Sequence, residues 1–240
     1  MLDLPRWAGR AAAVPLGALA HRRHGKPMHP RGVVLDAVLE RCGPIADGVP
    51  WPGAGEARPV VVRLSRGAGL PAPLPDLLGL AIRIPDGPVD LLLSSTGRGP
   101  LGRRVTVPRR DAAAVYSSIM GYRSAAGTLL VAALPEPGCG PLPSDPGPLA
   151  DAVARRRPAF TLTVARGTGP WRPFARLRLL GPVDAFDPDV RFDAVRNPPP
   201  GLVPDGPMAR FRAPAYAAAR QGRSRAGQRQ EDAHAPGVGS

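Results

Sequence analysis

Lysine is almost missing from this chain. Of its 32 basic residues only Lys26 is a lysine, and the 19 acidic residues leave a net charge of +13. The arginines are scattered rather than striped, and aromatic residues make up only 5% of the sequence. Stacked-base recognition needs aromatic platforms, so no specific nucleic-acid binding is expected. Cysteine is also scarce. Cys42 and Cys139 lie far apart and form no CxxC, which argues against a metal site built on cysteine. Two reduced, buried thiols are the expected state, with a disulfide as the alternative. Long apolar runs are lacking too. The stretch 7–20 is broken by Arg10 and Pro15; it is too short to span a membrane and lacks a signal-peptide layout. It reads as an amphipathic arm on a cytoplasmic protein, with a weak membrane-surface contact as the most it would make. The carboxylate constellation and Gly-rich phosphate loop of a phosphoester hydrolase are missing as well.

Glycine and proline, by contrast, are abundant, at 29 and 33 residues, and they punctuate many short strand-like runs. A length of 240 residues fits one domain with a real core. Residues 1–22 read as an arm with a short helix, 23–223 as a barrel domain and 224–240 as a polar, disordered tail without apolar periodicity. Runs 60–64, 80–84 and 89–94 are rich in strand formers and bounded by Gly, Pro and Asp, the last two joined by the turn Pro85-Asp86-Gly87-Pro88. Their nearly continuous apolar character implies cover on both faces. The polar residues Arg63, Ser65, Ser94 and Thr96 at their ends then become informative, because a buried polar group needs a partner.

Further along, 33–41 reads as a strand or short helix, and 101–107 as an exposed strand or loop. Residues 111–122 carry helical spacing, with Val115, Ile119 and Tyr122 on one face and Asp111 as cap. Residues 127–134 read as a strand, 135–148 as a surface loop and 149–157 as a helix stopped by Pro158. Runs 159–166 and 173–180 form a hairpin whose alternation, Thr161 and Thr163 against Leu162 and Val164, gives one wet and one buried face. Residues 184–207 read as an irregular connection. The sum is an α+β fold: a closed antiparallel β-barrel of about six to eight strands with a few peripheral helices.

Three ordered pieces resemble the haem-dependent catalase-like family. His29-Pro30-Arg31-Gly32 stands where catalases carry HAKG. Val62-Arg63-Leu64-Ser65 matches VRFS, followed by Asp76-Leu77-Leu78-Gly79-Leu80-Ala81 and by Asp90-Leu91 leading to Ser94-Ser95-Thr96. The run 208–223, MARFRAPAYAAARQGR, is similar to the family's RLFSYPDTHRHR and keeps the spacing of Arg212, Tyr216 and Arg223. The resemblance implies haem b as cofactor and peroxide as substrate, with Tyr216 as iron ligand. It also implies His29 as the distal acid–base group, Ser65 orienting that imidazole, and Lys26, Arg63 and Arg223 on the haem propionates. A phenol titrates near 10 and must lose its proton to bind ferric iron, which the positive charge of Arg212, or of Arg220 one turn later, would favour. Each residue also has an ordinary reading: His29 in a solvated basic loop, Ser65 bonding its own backbone, Tyr216 packed from a helix onto the barrel.

Ser94 departs from the family. Catalases have an asparagine there, and a serine offers no amide donor. The Phe-rich stretch that follows in catalases is absent too. The reading is therefore a reduced catalase-like core, either a haem peroxidase or a haem- or ligand-binding barrel without turnover. The oligomeric state stays open, a homodimer among the options.

Overall fold

The computed structural model describes residues 30–51, 57–85, 89–184, 190 and 192–206, all within one unit, His29–Ala209. Among these residues ten strands follow one another: β1 (Arg31–Arg41), β2 (Arg58–Arg66), β3 (Leu78–Ile84), β4 (Val89–Ser95), β5 (Tyr116–Ser117), β6 (Gly121–Ser124), β7 (Gly127–Pro135), β8 (Ala159–Arg166), β9 (Arg172–Pro182) and β10 (Val203–Asp205). Among the described residues one α-helix, α1 (Pro146–Arg156), precedes β8, and a single 3-10 turn spans Gly102–Arg104.

Every pairing is antiparallel. Strands run β5-β4-β3-β2-β1-β9-β8, and β7 pairs with both β5 and β8, closing an eight-stranded barrel, while β6 and β10 extend outward from β7. Register shifts at Asp36/Ala37 in β1 and at Leu162/Thr163 in β8 supply the local bends that closing a sheet requires. Alternation fills the interior: Val33, Leu35, Val62, Leu64, Leu80, Ile82, Leu91, Val131, Phe160, Leu162, Phe174 and Leu177 form one core. Each such side chain contributes about 1.5–3 kcal/mol. Tyr116 packs edge-on to Phe160 at 6.1 Å, and Trp51 to Phe174 at 5.5 Å.

Helix α1 starts at Pro146, where a missing N–H costs nothing. It ends at Arg157 in a left-handed conformation before Pro158. It lays Leu149, Ala150, Ala152 and Val153 toward the barrel. Asp145, at its N-cap, makes no capping hydrogen bond; its carboxylate accepts instead from Arg31 Nη2 at 2.9 Å.

Several expectations are corrected. Residues 111–122 are not helical. Tyr116, Met120 and Tyr122 are fully buried, whereas Val115 and Ile119 are only half-buried, so the buried set follows strand pairing with β4 and β7 rather than a helical face. Ile119 adopts φ 55°, which breaks the run between β5 and β6. Asp111 caps a loop: its Oδ1 accepts from Ala113 N and Leu142 N, both at 2.8 Å. Thr163 is buried rather than wet. Cys42 is exposed, not buried, and both cysteines are free. The connection 184–207 contains a strand, β10. Among the described residues no helix is long and apolar enough to cross a membrane.

Candidate functional site

Antiparallel pairing puts directly opposed residues on one face of the sheet. Gly32 on β1 opposes Ser65 on β2, Ser65 opposes Gly79 on β3, and Gly79 opposes Ser94 on β4. Ser94 in turn opposes Ser117 on β5, which opposes Ala132 on β7. This is the face turned away from the core, since Val33, Leu64, Leu80 and Leu93 of the same strands point inward. Six consecutive strands thus carry only glycine, serine or alanine in one lateral row. The face has low relief, with the half-buried hydroxyls of Ser65 and Ser94 standing on either side of Gly79.

Arg63 lies two residues before Ser65 and shares this face with Val34, Ala81 and Leu92. Its side chain is buried, at 7% exposure, and it lies flat against Gly32. A methyl built on Gly32 would sit 2.7 Å from Arg63 Nη2, 2.8 Å from Cζ and 2.8 Å from the Leu64 carbonyl oxygen. The glycine is therefore a steric condition for the arginine's position. Together with the Gly32–Ser65 strand pairing, it is a contact through which Pro30-Arg31-Gly32 meets Val62-Arg63-Leu64-Ser65. The other described residues of the first motif are held as well. Arg31 pairs with Asp145, and Pro30 packs on Gly69, where glycine is required twice over: its φ of 74° is one that L side chains rarely adopt, and an added Cβ would sit 2.6 Å from Pro30 Cγ.

Ser65 Oγ donates to the Gly79 carbonyl at 3.5 Å, a long bond. Ser94 and Ser95 have separate duties. Ser95 is fully buried; its Oγ accepts from Leu78 N at 3.0 Å and donates to Val107 O at 2.8 Å, pinning the following loop. Ser94 alone of the pair faces the low-relief row. Thr96 is buried, and its Oγ1 has no hydrogen-bond partner.

Two aspartates of the quoted motifs, to which no role had been attached, are staples. Asp76 accepts from Ala68 N at 2.9 Å and Leu70 N at 3.0 Å, and lies 3.7 Å from Arg66, itself fully buried. Arg66 donates to the carbonyls of Leu70 and Leu74 and to Ser144 Oγ. Together they fold the loop beside Pro30. Asp90, wholly buried, takes Arg83 in a fork at 2.8 and 2.7 Å, and also accepts from Asp193 N and Asn197 Nδ2 at 2.8 Å. Arg83 also stacks on Phe192 at 5.1 Å. This carboxylate fastens the connection 192–197 to the barrel. A carboxylate inside an apolar strand was the available signal, because burying it demands several donors.

His29, Lys26, Arg212, Tyr216 and Arg223 lie outside the described residues. The site described is thus Arg63, Ser65 and Ser94 with the glycines between them. Arg63 offers a guanidinium of the kind that suits a carboxylate, and Ser65 and Ser94 offer hydroxyls on half-buried residues, whereas Ser117 and Ala132 farther along the row are fully covered. Among the described residues there is no group of three or more His, Cys, Asp or Glu that could hold a metal. Two buried groups elsewhere in the barrel are chemically quiet. Burial, then Asp111 and Cys139, push the Tyr116 phenol far up, and it donates to Ala112 O at 2.8 Å. Burial and Asp111 likewise raise the Cys139 thiol.

Among solved structures, a bacterial catalase superposes on 82% of this chain with a TM-score of 0.57. The fold is catalase-like. Sequence identity over the match is 15%, and the match covers 56% of that catalase's length. No family model matches the chain, and no curated protein matches its sequence. The catalase-like barrel is therefore established by shape, and the chemistry must be argued from the residues.

Proposed function

We propose that the protein is a catalase-like haem peroxidase that reduces hydrogen peroxide or organic hydroperoxides, using haem b held by Tyr216. The observation that carries this reading is the contact between Gly32 and Arg63, which joins two catalase-like motifs beside a row of small side chains on one face of a catalase-like barrel. A bound haem would supply the iron at which the peroxide is reduced. The residues of this chain would do the rest. Tyr216 would give its phenolate to the iron, with Arg212 favouring loss of the phenol proton. Arg63, Lys26 and Arg223 would bind the propionates. His29 would take a proton from one peroxide oxygen and return it to the other as general base and then acid, with the Ser65 hydroxyl orienting its ring. A small-molecule electron donor completes each turnover.

The test begins with purified protein supplied with haem. An intense Soret band that shifts in Tyr216→Phe is expected. No band, or one unchanged in that variant, refutes the assignment. A second reading is a haem- or ligand-binding barrel without turnover, favoured by Ser94, whose hydroxyl is shorter than the asparagine amide and donates only one hydrogen. Full haem occupancy without peroxide consumption would select that reading, and restoration of consumption by Ser94→Asn would locate the reason.

A further inference from the structure

The loop between β4 and β5 holds apolar side chains out in water on a rigid frame. Leu101 is 79% exposed and Val105 58%, the two most exposed large apolar residues described. The frame is closed at its neck, where Gly97 N donates to Gly102 O at 3.1 Å and the two glycines touch so closely that a methyl on either would lie 3.0–3.2 Å from the other's Cα. Arg103 N to Gly99 O, at 2.9 Å, and Val105 N to Gly102 O, at 3.0 Å, stiffen the tip. Arg103 clasps it to the β8–β9 turn: its guanidinium stands 4.2 Å over the Trp171 ring and donates to Gly169 O at 3.0 Å. Trp171 Nε1 donates back to Arg98 O at 3.2 Å. Core packing does not account for a loop braced to present leucine and valine to solvent.

The charge around these side chains has one sign. Arg98, Arg104 and Arg172 are exposed on the same loop and the adjoining turn. Arg103 is buried with Nε and Nη1 lacking hydrogen-bond partners. No acidic residue occurs from 97 to 110 or from 166 to 172. Pairing with a second copy would bring these arginines together and repel. A protein partner would need roughly 800 Å² per side, far more than two side chains offer. A bilayer asks only for an apolar tip and cations at headgroup depth.

We propose that the 97–107 loop docks on an anionic phospholipid surface, with Leu101 and Val105 entering the headgroup boundary and Arg98, Arg104 and Arg172 meeting lipid phosphates. The proposal is independent of the haem reading. It is tested by sedimenting the full chain with vesicles of phosphatidylglycerol and phosphatidylcholine, against phosphatidylcholine alone. Binding is expected only to the anionic vesicles, weakening as salt rises. The double variant L101S/V105S should bind about tenfold or more weakly, Arg104→Gln about fivefold more weakly, and the control R155Q/R157Q, on and just after α1, within about twofold of wild type. No vesicle binding, or binding that ignores L101S/V105S, or an equal loss in R155Q/R157Q, would overturn the proposal. The last result would mean that net charge alone attracts this basic chain.

Discussion

Replacing Gly32 by alanine tests the packing that joins the two motifs. The added methyl meets Arg63 Nη2 at 2.7 Å, Cζ at 2.8 Å and Leu64 O at 2.8 Å. The guanidinium can swing away, but the carbonyl belongs to a β2 strand whose register is fixed on both sides, by β1 and by β3. Overpacking of this kind costs about 1–3 kcal/mol. For a unit of this size, each kcal/mol is worth roughly 2–4 °C, so Gly32→Ala should melt about 2–12 °C below wild type by circular dichroism. Gly147→Ala is the matched control. It lies in the first turn of α1, where apart from its chain neighbours nothing comes within 4 Å of the new methyl, and the gain in helix propensity is offset by crowding of the new Cβ against Pro148, so its melting point should move less than that of Gly32→Ala. Arg63→Ala supplies the second arm of a cycle: in that background Gly32→Ala should cost less, with the Leu64 contact as residue. A Gly32→Ala protein melting at or above wild type, or an equal penalty with and without Arg63, would show that the arginine does not rest on the glycine as described.

Three further outcomes follow from the buried polar groups. Asp90→Ala removes the carboxylate that binds Arg83 and the 193–197 segment. With Arg83 still able to reach water, the loss should be about 3 kcal/mol, the low end for a broken buried pair, read as a lower urea midpoint with earlier proteolysis within 192–206. For Tyr116, burial raises the folded pKa above the unfolded value near 10. The native state therefore keeps its proton when the unfolded chain loses one. The stabilisation is complete below pH 10 and is lost as pH rises beyond it, at about 1.4 kcal/mol per pH unit; Tyr116→Phe should flatten that slope in urea midpoints measured from pH 9 to 11.5. Cys42, exposed, should react with a thiol reagent in the native protein, and Cys139, buried, only after unfolding; equal rates at both would refute the burial.

Much of the barrel is legible without coordinates. The runs that became β2, β3, β4, β7, β8 and β9 are dense in Val, Leu, Ile, Phe and Thr between Gly, Pro and Asp, and α1 stops where Pro158 forbids continuation. The misreading of 111–122 has a definite cause. Val115, Ile119 and Tyr122 satisfy helical spacing by accident, while pairing of Tyr116 and Ser117 between β4 and β7 outweighs any local preference. Thr163 shows the same limit, because alternation predicts which face a residue takes but not whether that face is covered.

The sequence by itself determined the strands β2, β3, β4, β7, β8 and β9, the order of the motifs and the chemistry each residue can offer, since these depend on side-chain type and short-range periodicity. Only the tertiary structure decided that Gly32, Ser65, Gly79 and Ser94 form one row, that Ser94 rather than Ser95 faces it, and that Arg63 lies on Gly32. Those facts depend on register between strands that are 14 to 33 residues apart. A one-residue slip would invert every face, and only the joint packing of the closed barrel selects among the registers.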